Sequence, residues 1–135
     1  MEPETAACRA LLDALAQSAD RLRDLRRRLT ESLGIHNARS QTYLAVHLDG
    51  WQWQAWVEAT LPDGSQIEWL LDLFVRGDVW VVESTVSEPD GTPIQPFEDR
   101  VAHDWREVVA HVRDATEELV ASLDSTPAVR SRVIG

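Results

Sequence analysis

The stretch that decides the fold runs from Tyr43 to Ser87 and reads YLAVHLDGWQWQAWVEATLPDGSQIEWLLDLFVRGDVWVVESTVS. It holds five of the six tryptophans, and apolar and polar residues alternate along much of it. Such alternation is typical of strands with one buried face. Because turn signals interrupt the alternation at three places, the stretch predicts a four-stranded antiparallel meander.

Three turns, at Asp49-Gly50, Pro62–Gly64 and Gly77-Asp78, set the predicted register. Asp-Gly supplies the two positive φ angles of a type I′ hairpin turn. In the second turn, Pro presets φ and Gly takes the left-handed position. The resulting register places five pairs opposite one another: Leu48 with Trp51, Val46 with Trp53, Val57 with Trp69, Trp53 with Leu73, and Val75 with Trp80.

This register gives the sheet two different faces. The inner face is apolar and is predicted to be core: Leu44, Val46, Leu48, Trp51, Trp53, Val57, Ile67, Trp69, Leu71, Leu73, Val75, Trp80, Val82 and Val86. The outer face mixes carboxylates with large apolar groups: Tyr43, His47, Gln52, Gln54, Trp56, Glu58, Glu68, Leu70, Asp72, Phe74, Val79, Val81 and Glu83. A face that only meets water needs fewer apolar groups, so the outer face is a candidate binding surface.

The residues before the sheet predict a long amphipathic helix from Pro3 to about Leu33. Apolar residues recur there at three- and four-residue steps, and Gly34 suits the position after the helix end. Such a helix is longer than a strand of the sheet, so one of its ends must overhang. Cys8 falls in the apolar stripe and is predicted to be a small buried side chain.

A second helix is predicted from Asp104, with Glu107 as its capping partner, to about Ser125. Pro96 limits residues 94–97 to a short edge strand. The predicted fold class is α+β: a two-layer sandwich with a long N-terminal helix, a four-stranded antiparallel meander and a C-terminal helix. We expect a single domain over residues 1–126 and a flexible tail over residues 127–135. Either both helices cover the inner face, or the C-terminal helix covers the outer face.

Composition and charge exclude several functions. All 13 basic residues are arginine, which excludes Schiff-base chemistry and any P-loop lysine. The net charge of −10 opposes nucleic acid and favours basic proteins as partners. No apolar run is long enough to span a membrane and the acidic N-terminus is unlike a signal peptide, so a cytoplasmic location is expected. The bias towards Arg, Ala and Val indicates a bacterial gene of high GC content.

No catalytic or cofactor motif is present, and no cofactor is expected. His103, Glu107 and His111 share one helix face, but the two histidines lie about 12 Å apart along the axis and cannot share an ion. They therefore indicate a solvated polar face, and no metal site is predicted. His47 is expected opposite Gln52 as an ordinary sheet residue. Because Cys8 is the single cysteine, an intrachain disulfide is excluded.

The predicted binding surface comprises six residues of the outer face: Trp56, Glu58, Glu68, Asp72, Phe74 and Glu83. Aromatic anchors within a charged surround are typical of binding hot spots. Glu58 and Glu68 fall directly opposite each other, which destabilises an isolated sheet. The surface therefore predicts a small, acidic, non-enzymatic protein-binding module with a basic partner. In size, charge and layout the chain resembles toxin-neutralising immunity proteins and secretion chaperones.

Two other functions are compatible with the sequence. The protein is alternatively a small-ligand-binding protein or an enzyme, with a pocket between helices and sheet lined by Trp51, Trp53, Trp69 and Trp80, to which Trp105 is a further candidate. A packed core in place of that pocket would argue against this alternative. The chain is also compatible with a homodimer formed through the outer face or the first helix, which a mass measurement would detect.

Overall fold

A computed structural model describes residues 3–47 and 50–134, without the side chains of residues 3, 4 and 47. The elements in chain order are α1 Pro3–Arg27, a π-helical segment Arg28–Ser32, β1 Asn37–His47, β2 Gly50–Thr60, β3 Gln66–Arg76, β4 Val79–Ser87, β5 Pro93–Pro96, β6 Arg100–Ala102, α2 Trp105–Ser125 and α3 Pro127–Ile134. The predicted α+β fold is confirmed. The sheet, however, has six strands where four were predicted.

The first four strands pair consecutively and antiparallel, and β5 and β6 both pair with β4. The register predicted from the second and third turns is confirmed, since Val57 lies opposite Trp69 and Val75 lies opposite Trp80. The register predicted for the first hairpin is wrong by two residues, because Val46 pairs with Trp51. Side chains alternate with a period of two, so this shift leaves each residue on its predicted face.

The same shift changes the strand pairing of His47. It pairs with Gly50, and Gln52 pairs with Ala45, so the predicted pairing of His47 with Gln52 is wrong. Residues 48 and 49, which include the first residue of the predicted Asp49-Gly50 turn, lie outside the described residues.

Both helices cover the inner face. α1 packs on β1 and β2, while α2 packs on β3 and β4 and against α1. Beneath them Val57, Trp69, Leu71 and Leu73 are fully buried. The simpler of the two predicted packings is therefore confirmed, and the alternative that placed the C-terminal helix over the outer face is wrong.

Buried hydrogen bonds fix α2 against its neighbours. The indole N–H of Trp69 donates to Ser122 Oγ at 3.1 Å, and that hydroxyl donates to the carbonyl oxygen of Leu119 at 2.6 Å. The hydroxyl of Thr116 lies 2.8 Å from that of Ser18 on α1. Each of these polar groups is buried, so each bond avoids the cost of an unpaired buried donor or acceptor.

At the end of β1 that leads into β2, the inner face is not core. Leu44 and Val46 are 63% and 81% exposed, and on α1 Leu12 is 60% exposed and Cys8 is also exposed. The predictions that Leu44, Val46 and Cys8 are buried are therefore wrong. β1 is the edge strand of the sheet, so side chains at this corner have neighbours on one side only.

Two further features complete the fold. Trp51 and Trp80 make an edge-to-face contact on the inner face, with ring centroids 5.3 Å apart. Residues 127–134, expected to belong to a flexible tail, form α3, in which Val129 is buried and Arg132 lies 2.9 Å from Glu88.

Among the described residues, no helix combines the length and the apolar character needed to cross a membrane.

Candidate functional site on the outer sheet face

All six residues of the predicted binding surface lie on the outer face, on the three central strands β2, β3 and β4. Neither α1 nor α2 packs on this side, because both lie on the inner face. Three cross-strand pairs organise the surface: Glu58 with Glu68, Trp56 with Leu70, and Asp72 with Glu83. The face therefore carries an apolar pair between two acidic pairs.

The first acidic pair borders a depression of about 370 Å³, which we call the Glu68 depression. Its lining includes Asn37, Arg39, Glu58 and Glu68. Glu58 is already paired, since the indole N–H of Trp56 donates to it at 2.8 Å and Arg39 binds its other oxygen at 3.1 Å. The bond from Trp56, followed by those from Arg39, holds the pKa of Glu58 below its usual range.

Glu68 has the opposite character. Burial raises its pKa, and the negative charge of Glu58 raises it further. Within the described residues, no side-chain donor forms a hydrogen bond or ion pair with Glu68. The ionised form of Glu68 thus lacks a partner cation that would stabilise it.

The second acidic pair borders a depression of about 320 Å³, the Asp72 depression. Asp72 is only 8% exposed, and the amide of Gln52 donates to its two oxygens at 3.0 and 3.1 Å. Burial raises the pKa of Asp72 against the opposing effect of Gln52 and Gln54. The pKa of Glu83 is also raised, first by burial and then by the charges of Asp99 and Asp72.

A positively charged side chain, Arg76, already lines the Asp72 depression. The guanidinium of Arg76 lies 4.9 Å from the centre of the Phe74 ring, within the range of a cation–π contact. Its charge also opposes the rise in the pKa of Glu83. The Phe74 ring thus contacts a cation of the protein's own chain, and that cation acts on Glu83 through its charge.

Between the depressions lie Trp56 and Leu70, both partly exposed. The bond to Glu58 fixes the indole of Trp56, so its ring is presented with little conformational freedom left to lose. Glu68 and Asp72 are four residues apart on β3, which separates the two depressions by about 13 Å.

The other chemistries considered from the sequence gain little support. Trp53 and Trp69 are 8% and 0% exposed and belong to the packed core, where a ligand pocket would need space. Glu107 caps the start of α2 by accepting the backbone N–H of His103 at 3.1 Å. Over the described part of the chain, no three His, Cys, Asp or Glu side chains are grouped so as to hold a metal ion.

Comparison with known proteins adds nothing to this geometry. The chain matches no family model, no curated protein and no solved structure.

Sequence reasoning missed Arg39 as a member of this surface. The predicted sheet began at Tyr43, whereas β1 begins at Asn37 and brings Arg39 opposite Glu58. Residues 37–42 are largely polar and show no apolar alternation, so the sequence carried no signal for this extension.

Replacing Asp72 by asparagine is expected to raise the free energy of unfolding at neutral pH. The pKa of Asp72 is raised in the folded protein above the ordinary carboxyl pKa of about 4. At pH values between these two pKa values, the folded protein therefore binds a proton that the unfolded chain has released. Through that window the contribution of Asp72 to stability falls as the pH rises. Asparagine abolishes the titration and can still bond to Gln52.

Urea unfolding as a function of pH measures this effect. The matched variant Asp114→Asn makes the same substitution at an exposed position of α2 and controls for the chemical change itself. An Asp72→Asn profile parallel to that of the wild type would contradict the expectation.

Proposed function

We propose that this protein is a non-enzymatic protein-binding module that binds a basic protein partner through its outer sheet face in the bacterial cytoplasm. One observation carries the proposal: a partly exposed aromatic side chain, Trp56, lies between two depressions, one lined by Glu68 and the other by Asp72 and Glu83. Burial disfavours the charged form of each of these three carboxyl groups. The likeness in size, charge and layout to immunity proteins and secretion chaperones supports the same class of partner.

The electrostatics of Glu68, Asp72 and Glu83 favour a cationic partner. The pKa of each is raised, with burial as the largest cause. A lysine or arginine side chain entering either depression would stabilise the ionised carboxylate and lower that pKa. Binding would therefore release protons, and the affinity would increase as the pH rises through the raised values.

Apolar contact of the partner with Trp56 and Leu70 supplies the part of the affinity that charge alone does not. Exposed ion pairs are worth little, because water and salt screen them. Trp56 and Leu70 offer apolar area that a partner side chain can bury, and tryptophan is among the residues enriched at binding hot spots. We therefore assign the anchoring contact to Trp56 and the partner selection to the carboxylates.

Affinity capture from the source cell, followed by titration with the purified partner, tests this proposal. Trp56→Ala and Glu68→Arg are each expected to weaken binding by about tenfold or more. Glu68→Arg should weaken it most at low salt, because it replaces an attraction with a repulsion.

Matched controls separate the outer face from general effects. Asp114→Arg makes a comparable charge reversal on the exposed face of α2, and Trp105→Ala removes a tryptophan at the start of α2. Both should retain the wild-type affinity. The proposal fails if Trp56→Ala and Glu68→Arg retain every partner that the wild type retains.

A further inference from the structure

The two edges of the sheet are built differently. Along the β4 edge lie two short strands: β5, which begins and ends with Pro93 and Pro96, and β6, which has 3 residues. Short strands and prolines are the usual means by which proteins prevent an edge from pairing with another chain. This edge is therefore protected.

The β1 edge has none of these protections. β1 runs for 11 residues and pairs with β2 without a register shift. It contains no proline and no acidic residue, and Arg39 is its one residue of fixed charge. Its outer side presents a row of backbone N–H and C=O groups to which another strand can add.

Apolar side chains accompany these free backbone groups. Tyr43, Leu44 and Val46 are 51%, 63% and 81% exposed, and all three lie in the second half of β1. Leu12, at 60% exposure, adds an apolar group on α1, the helix that packs on β1. An exposed apolar strand at a free edge is an association site.

We propose that this edge binds a second copy of the chain, with the two β1 strands antiparallel across a two-fold axis. Such a pair forms one continuous sheet from the two six-stranded sheets. This contact uses the edge of the sheet, whereas Trp56, Glu68 and Asp72 lie on the outer face of the central strands.

Charge favours a second copy over a basic partner at this edge. Each copy carries a net charge of −10, yet β1 contains no carboxylate, so the strand pairing itself brings no two carboxylates of β1 together. A register centred on Leu44 sets Leu44 of one copy opposite Leu44 of the other, and Val46 opposite Thr42. The paired segment then covers residues 41–47 of each β1, and Arg39 lies outside it in both copies.

Closure also favours a second copy. An isologous contact uses the β1 edge of both chains, so the edges left exposed are the two protected by β5 and β6. Assembly therefore stops at two copies. A strand from an unrelated partner would instead leave its own second edge open unless that edge were covered elsewhere.

Light scattering coupled to size-exclusion chromatography tests the proposal. The wild type is expected to have twice the 15.2 kDa mass of one chain. Val46→Lys should yield the single-chain mass, because a charged edge residue opposes strand pairing. Val101→Lys is the matched control, since Val101 is 52% exposed on β6 at the protected edge, and it should keep the doubled mass.

Cross-linking checks the register. Leu44→Cys in a Cys8→Ser background should form an intermolecular disulfide, because directly opposed antiparallel residues have Cα separations of about 4.5 to 5.5 Å, within disulfide range. Val101→Cys in the same background should not. A single-chain mass for the wild type at every concentration, or a doubled mass that Val46→Lys leaves intact, overturns the proposal, as does another protein's strand bound along β1.

Discussion

Replacing Trp69 by alanine is expected to lower the free energy of unfolding by about 3–5 kcal/mol. Trp69 is fully buried on the inner face beneath α2, so truncation leaves a cavity in the centre of the core. It also removes the indole donor from the buried hydroxyl of Ser122. Urea unfolding followed by circular dichroism measures the loss.

Two companion variants separate the causes of this loss. Trp69→Phe retains most of the apolar volume and removes the bond to Ser122, so it should cost about 1–3 kcal/mol. Trp56→Ala removes the same side chain from the outer face of the same sheet and should destabilise much less. Equal losses for Trp69→Ala and Trp56→Ala would contradict the assignment of the two faces.

Replacing Gly50 by alanine is expected to lower the free energy of unfolding by about 3 kcal/mol or more, at the upper end of the range for overpacking. A Cβ at Gly50 would overlap the carbonyl oxygen of Val75. That oxygen belongs to the backbone of β3, so it cannot rotate away as a side chain can. The two strands would have to separate at the end of the sheet.

Gly64→Ala provides the matched comparison. Nothing lies within 4 Å of a Cβ built at Gly64, so only its positive φ of 86° opposes the substitution. That conformation costs an alanine about 1–2 kcal/mol. If the two glycine variants were equally stable in urea, the close approach of β2 and β3 at Gly50 would be wrong.

The turns explain why most of the sheet could be predicted from the sequence. Pro62–Gly64 and Gly77-Asp78 each restrict the chain to a few turn geometries, and the registers predicted from them are confirmed. The first hairpin has a register shifted by two residues. The apolar pattern could not reveal this, because a two-residue shift moves no side chain to the other face.

Of the two short strands, β5 matches the short edge strand that the sequence allowed for residues 94–97, whereas β6 carried too little pattern to be predicted. β5 has 4 residues and β6 has 3, so neither completes enough alternations to distinguish a strand from a loop. Pairing with the exposed edge of β4 places them in the sheet, and that is a tertiary effect.

The prediction that side chains at the end of β1 are buried was wrong for a related reason. The sequence pattern assigns Leu44, Val46 and Cys8 to apolar faces correctly, but it does not show where the covering element ends. The outer face was assigned well, since alternation alone places Trp56 and the carboxylates on it. Which carboxylates are paired could not be predicted, because that depends on Arg39 in a segment without a strand pattern.

The contact between Trp51 and Trp80 has a practical consequence. The two indole planes are inclined by 78°, and the residues belong to β2 and β4, which are separated by β3. Electronic transitions of indoles this close couple to give an exciton couplet in the far-ultraviolet spectrum. The couplet should emerge only once all three strands have come together, giving refolding kinetics a built-in optical signal without any added dye.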